Sequence, residues 1–316
     1  MSCDLSIVIP AFNEREVLPH ALETLRAIAE KANVSYEIIV VDDGSTDGTS
    51  DLIDTAHATN SEIKGIVLSR QFGKEAGLYA GLKHASGKAV ITLDADLQHP
   101  PSLIPEMLEH WRKGAEIVHG VKQDRNADSW LQRMTASIYS TVFSRLSGFD
   151  LRGSSDFKLL DRRVVDVLTK NLPEYGRFYR GLSAWVGYRQ VSIPFDVAPR
   201  ASGESRWGGL SLIRYAIRTM TAFSSLPLMI VPVLGLIMLI ISIILGIEAI
   251  FSKLSGHAIS GFATLEITIL FSGSVIMIGL GIIGQYMARM YDEIKGRPVC
   301  LISRFIGLDN NPDSQQ

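Results

Sequence analysis

Two carboxylates one residue apart, Asp94 and Asp96, lie in the stretch VITLDADLQHPP over residues 90–101. Val90, Ile91, Thr92 and Leu93 suit a buried strand, and Pro100 and Pro101 stop regular structure soon after the acids. On an extended chain alternate side chains share a face, so the two acids project together, with Gln98 close behind across the bend. Oxygen ligands of this kind suit a hard divalent cation, Mg2+ or Mn2+, which keeps positions open for water and for phosphate oxygens. The pattern predicts a diphosphate-metal grip made by Asp94, Asp96 and Gln98. A surface turn is the plainer source of an Asp-x-Asp, but here the pair follows a core strand.

Such a grip needs a scaffold that brings several strand ends to one place. Short β-branched runs over residues 5–12, 36–45, 64–70 and 88–96 end in polar or turn residues, and helical patterns over 16–31, 49–58 and 74–85 lie between them. Strands alternating with helices predict an α/β fold with an open, mostly parallel sheet covered on both faces. In such sheets ligands bind beyond the carboxyl ends of the strands. The first strand delivers Pro10, Asn13 and Glu14 there, the second Asp42, Asp43, Ser45 and Asp47, and the third Arg70, Gln71 and Lys74. Local structure competes for some of these. Asp47 or Thr46 can cap the helix that begins near Thr49, and Glu14 suits the dipole of a first helical turn. Asp42, at a strand terminus, is assigned to ligand contact.

Composition limits the partners. Lys and Arg number 31 against 33 Asp and Glu, so no basic field argues for nucleic acid. The two cysteines, Cys3 and Cys300, stand at opposite ends without metal or redox spacing, which fits a reducing cytosolic setting. The opening MSCDLSIVIP lacks the charged start and long apolar stretch of a cleaved secretion signal. The chain of 316 residues is 47% hydrophobic, and the excess is concentrated over residues 229–251 and 262–288. Glu248 and Glu266 are the only charged residues in these two stretches, so each is long and apolar enough to cross a bilayer. Arg289, Lys295, Arg297 and Arg304 follow the second stretch, which predicts a membrane hairpin with both long ends in the cytoplasm. Gly273, Gly279, Gly281 and Gly284 would let such helices approach closely, leaving a homo-oligomer possible.

The motifs IVIPAFNE, VVDDGSTDGT, GKEAGLYAGLKHASG and ITLDADLQHPP resemble inverting family 2 glycosyltransferases of the polyprenyl-phosphate branch, and GSSDFKLLDRRV, RASGESRWG and the apolar hairpin extend the likeness over most of the chain. That branch includes bactoprenol glucosyltransferases and dolichol-phosphate mannose synthases. The resemblance implies a GT-A-type, Rossmann-like sheet followed by a two-helix transmembrane hairpin. It assigns Pro10, Glu14, Asp42, Lys74, Asp94 and Ala95 to the nucleotide sugar, with Asp94, Asp96 and Gln98 around the metal. Asp156 falls where the family has an acid near acceptor and sugar, so Asp96 and Asp156 are the implied catalytic pair. Arg200, Ser205 and Arg206 match a loop over the phosphates. The chain departs from the usual pattern at Gln71, Lys88 and the Arg206-Trp207 pair, where Asn, Asp and Lys-Tyr are common.

A phosphate acceptor would carry about −1.5 to −2 charges near neutral pH and barely needs a general base. Asp156 is therefore expected to orient the acceptor or the sugar. Arg125, Arg133, Lys158, Arg200 and Arg206 are the cations available for an acceptor phosphate. Residues 129–146 read as an amphipathic helix that either packs on the core or lies on the lipid surface, and 207–228 as a juxtamembrane helix with Arg214 and Arg218 near headgroups. The expected organisation is a cytosolic catalytic domain over 1–206, a juxtamembrane helix over 207–228, two transmembrane helices over 229–288 and a cytosolic tail over 289–316. The expected reaction is transfer of glucose from UDP-glucose to a polyprenyl phosphate at the plasma or inner membrane. A GDP-mannose donor, a hydroxyl acceptor, and a non-catalytic scaffold or lipid-linked sugar carrier are the alternatives.

Overall fold

The computed structural model describes residues 3–122, 155–172, 174–195, 226–255 and 262–308. The chain divides into two compact units, Met1–Gly208 with Gly296–Gln316, and Gly209–Lys295. In the first unit the described elements are β1 (Leu5–Ala11), α1 (Leu18–Lys31), β2 (Tyr36–Asp42), α2 (Thr49–Thr59), β3 (Ile63–Leu68), α3 (Lys74–His84), β4 (Ala89–Thr92) and α4 (Ile104–Arg112). They continue with β5 (Ile117–Lys122), β6 (Lys158–Asp161), α5 (Arg162–Asp166), a π-helical turn (Val167–Asn171), α6 (Tyr179–Trp185) and β7 (Gln190–Phe195).

Among the described residues eight strands form one sheet in the order β7-β5-β6-β4-β1-β2-β3-β8. Strands β4, β1, β2 and β3 run parallel, as alternation with helices requires, and β5 runs parallel to β7. Strand β6 is antiparallel to both β4 and β5 and joins the two parallel sets. The central strands are apolar throughout because both faces are covered: Ile7, Val8, Ile9, Ile38, Ile39, Val40, Val41, Val90 and Ile91 are all fully buried. Helix α3 reaches the sheet by small residues. A side chain at Gly81 would collide with Val8, and one at Gly77 would lie 3.4 Å from Pro10 Cβ. This close approach sets α3 directly over the ends of β1 and β2.

The eighth strand, β8 (Ile302–Ile306), comes from the stretch read above as a tail over 289–316. It pairs antiparallel with β3, and Arg304 forms a two-bond ion pair with Asp54 on α2. Its sequence, ISRFI, is short and follows Pro298, so periodicity alone gives no strand signal; what orders it is the unpaired edge of β3.

The second unit contains α7 (Leu226–Leu254) and α8 (Phe262–Ile294). Both are long and apolar enough to cross a membrane, over Leu228–Glu248 and Ile267–Ile294. Ile240, Ile244, Leu270, Phe271 and Ile278 are exposed on them, as lipid-facing side chains would be. The two helices pack where Gly279 meets Val231, with only 3.1 Å between a notional Cβ and Val231 Cγ1.

Candidate active site

The loops after β1 and β2 are laced together. Asn13 takes a left-handed conformation (φ 56°), donates its N–H to Ser45 Oγ at 2.8 Å and accepts from Thr46 N at 2.9 Å. Asp47 accepts from Arg15 N, Thr49 N and Thr49 Oγ1, the local role that competed with ligand binding in the sequence. Gly44, also left-handed at φ 71°, lets the Arg70–Gln71 backbone pass where any Cβ would lie 2.6 Å from Arg70 C. The ends of four strands, β1 to β4, border a cavity of about 350 Å3, lined by Pro10, Ala11, Phe12, Glu14, Asp43, Gln71, Gly73, Lys74, Asp94, Ala95 and Asp96. Its size is that of a small-molecule site.

Pro10, Glu14, Lys74, Asp94, Ala95 and Asp96 thus meet as the sequence predicts. Asp42 does not join them. It is still in strand register, opposite Ala11 and Val67, is 1% exposed, and its Oδ1 accepts from Ser45 N at 3.0 Å. Its neighbour Asp43 lines the cavity instead, accepting from Phe72 N and Gly73 N at 2.7 and 2.8 Å and so fixing the entry to α3. Burial pushes the Asp43 carboxyl up.

The acidic pair is not carried on a strand. β4 ends at Thr92 and residues 94–97 turn, with Leu97 left-handed at φ 51° and its N–H reaching Asp94 O at 3.4 Å. The turn, rather than strand alternation, brings both carboxylates to the cavity. Asp96 is exposed at the rim and accepts from Gln98 N at 3.1 Å. Gln98 contributes this backbone donor and does not line the cavity, so its expected place as a metal ligand gains no support from the geometry. His99 then packs on Phe157 and Phe195, with ring centroids 5.6 and 5.5 Å apart, and holds the turn against the sheet.

Behind the cavity, Lys74 Nζ lies 2.6 Å from Asp94 Oδ1 and 2.7 Å from Asp156 Oδ2. Arg180 grips Asp156 from the other side, Nε to Oδ1 at 2.7 Å and Nη2 to Oδ2 at 2.9 Å. Burial opposes ionisation of Asp156, but Arg180 and Lys74 outweigh it and hold the carboxyl well below its usual range. Burial likewise works to discharge Lys74, and Asp156 and Asp94 reverse that, raising its pKa. Asp156 is therefore a weak base and a firmly held anion.

Lys158 is corrected by the structure. It is 1% exposed, its Nζ donates to Ser183 Oγ at 2.6 Å, and burial lowers its pKa to about 7. Its position at the start of antiparallel β6 turns it into the core, so it cannot meet an acceptor phosphate at the surface. Arg180 and Glu75 have no counterpart in the sequence reading. Glu75 is raised to about 7 by burial and accepts from Tyr179 N at 2.7 Å. Both act through tertiary pairing between distant segments, which no local spacing signals. Arg125, Arg133, Arg200, Ser205, Arg206, Arg214 and Arg218, and the helix expected over 129–146, lie outside the described residues, as does most of 207–228.

The lining fits a divalent cation by its charge. Glu14, Asp43, Asp94 and Asp96 face one ammonium, Lys74. Burial raises the pKa of Glu14, and Asp96, Asp94 and Asp47 raise it further, the mark of an acidic field short of positive charge. A nucleoside diphosphate would be repelled from such a wall unless a metal came with it. Among the described residues no three His, Cys, Asp or Glu side chains form a ready cage. Mg2+ is commonly held in that way, by one or two carboxylates with phosphate oxygens and water completing the shell. Asp96, exposed at the rim, and Asp94 are the residues that would hold it.

Residues 6–169 match the family described as Glycosyl transferase family 2. The chain is 40% identical to the glycosyltransferase sll0501 of Synechocystis sp., covering 99% of this chain and 98% of that one. It is 35% identical to the prophage bactoprenol glucosyl transferase homolog of Escherichia coli, over 95% of this chain and 98% of that one. Among solved structures, mannosyl-3-phosphoglycerate synthase from Rubrobacter xylanophilus aligns with a TM-score of 0.47 at 21% identity, over 70% of this chain and 73% of that one.

Proposed function

The chain belongs to glycosyl transferase family 2, and from that membership we propose that it moves a hexose from a nucleotide sugar to a polyprenyl phosphate, with UDP-glucose as donor and inversion at the sugar. The observation that carries the reading is the wall of Glu14, Asp43, Asp94 and Asp96 facing Lys74, because such a cavity takes a diphosphate only with a cation. The relatives named bactoprenol glucosyl transferase, matched along nearly their whole length, support glucose and a polyprenyl phosphate.

A divalent ion, when bound, supplies charge for the departing nucleoside diphosphate. The chain's own residues do the rest. Asp96 and Asp94 would hold the metal, Lys74 keeps Asp94 beside Asp156, and Glu14, Pro10 and Ala95 shape the donor side. Asp156, held ionised, orients the acceptor or the sugar and does not take a proton; an already ionised phosphate needs none taken. The second unit is read as a membrane hairpin. That β8 lies in the same sheet as β1 to β7 supports a reading in which the chain before and after the hairpin is on one side of the bilayer. Arg289, Lys295, Arg297 and Arg304 support the cytoplasmic side.

The test incubates purified protein with polyprenyl phosphate, radiolabelled UDP-glucose or GDP-mannose, and Mg2+, Mn2+ or EDTA. Label from UDP-glucose should enter the organic phase in a metal-dependent way. Transfer from GDP-mannose alone would overturn the donor, transfer in EDTA the metal, and no organic-phase label from either the acceptor.

A further inference from the structure

The sequence motifs account for Asp156 but not for what holds it. Asp156 lies two residues before β6, and its backbone oxygen accepts from Thr92 Oγ1 on β4. That tie fixes the main chain and leaves the carboxylate free to rotate about a broad terminal torsion. One ammonium, Lys74, cannot define the carboxylate plane, since it is a point charge. The planar fork of Arg180 can: Nε and Nη2 each take one carboxylate oxygen. We infer that Arg180 is a positioning residue for sugar transfer, setting the plane of the Asp156 carboxylate and turning Oδ2 toward Lys74 at the donor cavity.

The surroundings of Arg180 support the assignment. Helix α6 has only the seven residues Tyr179–Trp185, too few to hold itself in place. Three ties register it. Glu75, next to Lys74 on α3, accepts from Tyr179 N at 2.7 Å. The Tyr179 hydroxyl lies 2.9 Å from Thr92 Oγ1, the same hydroxyl that reaches the Asp156 backbone. Lys158 Nζ donates to Ser183 Oγ at 2.6 Å, and Ser183 Oγ donates to Arg180 O at 3.1 Å. Glu75, Thr92 and Lys158, from three different elements, thus converge on the helix that carries Arg180. Arg180 and Lys74 are both 41% exposed while the Asp156 side chain is 10% exposed, so the carboxylate is held beneath the two cations.

The inference rests on the proposed role of Asp156, and the test separates the two. Sugar transfer would be measured for Arg180→Gln, Arg180→Lys, Asp156→Asn and Asp156→Asn with Arg180→Gln. Arg180→Gln should lower kcat about a hundredfold, the size expected of a misaimed group, with the nucleotide-sugar KM within about twofold. Arg180→Lys, which keeps the charge and loses the fork, should recover about tenfold of that loss. In the Asp156→Asn background Arg180→Gln should cost less than about threefold, because a residue acting through Asp156 has nothing left to position. If Arg180→Gln does not fold, Arg180→Lys in both backgrounds decides.

A pH profile adds a second readout. With Arg180 removed, less positive charge opposes burial, the Asp156 carboxyl rises, and the rate should acquire a limb that falls toward acid pH. Among the described residues the other groups facing Asp156 are Lys74 and Glu75 on α3, Asp94 and His99 after β4, Lys158 on β6 and Tyr179 on α6. Glu75 and His99 remain in every variant, so the limb is read as a difference from the parent profile. Equal losses from Arg180→Gln with and without Asp156, and an unchanged profile, would overturn the inference. Wild-type turnover in Asp156→Asn would overturn the acceptor-side role of Asp156 and the inference with it.

Discussion

Asp94 and Asp156, from segments far apart in the chain, are joined through a single ammonium, with Lys74 Nζ 2.6 Å from Asp94 Oδ1 and 2.7 Å from Asp156 Oδ2. Lys74 is the first residue of α3, and α3 is seated by the close approach of Gly77 and Gly81 to β1. The acid at the donor cavity and the acid assigned to the acceptor side are therefore set relative to each other by one helix start. Two carboxylates this close would repel without the cation between them.

Lys74→Met should leave Asp94 and Asp156 facing each other uncompensated and lower kcat/KM for sugar transfer by about a hundredfold or more. Lys74→Arg, which restores charge with a different shape, should recover part of it. Steady-state kinetics with the nucleotide sugar varied checks this; a Lys74→Met variant of near wild-type activity would show that the bridge is incidental.

Asp96 is exposed, and its side chain accepts the Gln98 N–H. Asp96→Ala should shift folding stability by no more than about 0.5 kcal/mol, as for other surface changes. Binding of UDP-glucose, measured by calorimetry with and without Mn2+, should be strengthened by the metal in the parent and indifferent to it in the variant. Metal-enhanced binding that survives in Asp96→Ala would remove Asp96 from the metal.

These contrasts mark how far the sequence could be read. Alternation of β-branched runs with helical patterns gave away β1 to β4 and α1 to α3, because both faces of a parallel sheet must be covered and its strands are then apolar throughout. The cavity was legible for the same reason: Pro10, Glu14, Lys74, Asp94 and Asp96 all stand at strand or helix ends, where an open sheet binds ligands. Asp42 stays in strand register and out of the cavity lining, while its neighbour Asp43 leaves the sheet and lines the cavity, a one-residue difference that periodicity does not signal. Lys158 looked like a surface cation beside Asp156, but antiparallel β6 faces it inward, and the direction of a strand that crosses over is not written in local periodicity. Arg180 reaches Asp156 across 24 residues, and Glu75 and β8 depend on contacts between segments more than a hundred residues apart; a single sequence encodes none of these in any pattern of spacing.

The burial of Lys158 predicts a pH effect with a definite sign. Its pKa in the fold is about 7, against a model-compound value of 10.5. Charging it is therefore disfavoured in the folded state. The cost is fully present below about pH 7 and fades as pH rises toward 10.5. Lys158→Met should raise Tm most at neutral pH and progressively less toward pH 10, with the acceptor KM unchanged. A raised acceptor KM at unchanged Tm would return Lys158 to the phosphate.

Glu75 gives the opposite dependence. Burial raises its carboxyl from 4.5 to about 7, while the Tyr179 N–H it accepts favours the ionised form and limits the rise. The folded protein therefore binds a proton that the unfolded chain releases between pH 4.5 and 7. The cost of ionising Glu75 is full above about pH 7 and is gone once pH falls below 4.5. Glu75→Gln keeps an oxygen for Tyr179 N and cannot ionise, so it should be more stable than the parent at pH 8 and equal to it near pH 4.5. Glu75→Ala leaves the Tyr179 N–H without its acceptor and should lie about 1–3 kcal/mol below Glu75→Gln at both pH values. Thermal unfolding of the three proteins across that range separates the two effects, because removing the charge alone changes the slope with pH and removing the acceptor lowers the whole curve. A Glu75→Gln curve parallel to the parent at all pH values would mean that Glu75 is ionised in the fold throughout, and that its carboxylate, like that of Asp156, is stabilised by Arg180 and Lys74.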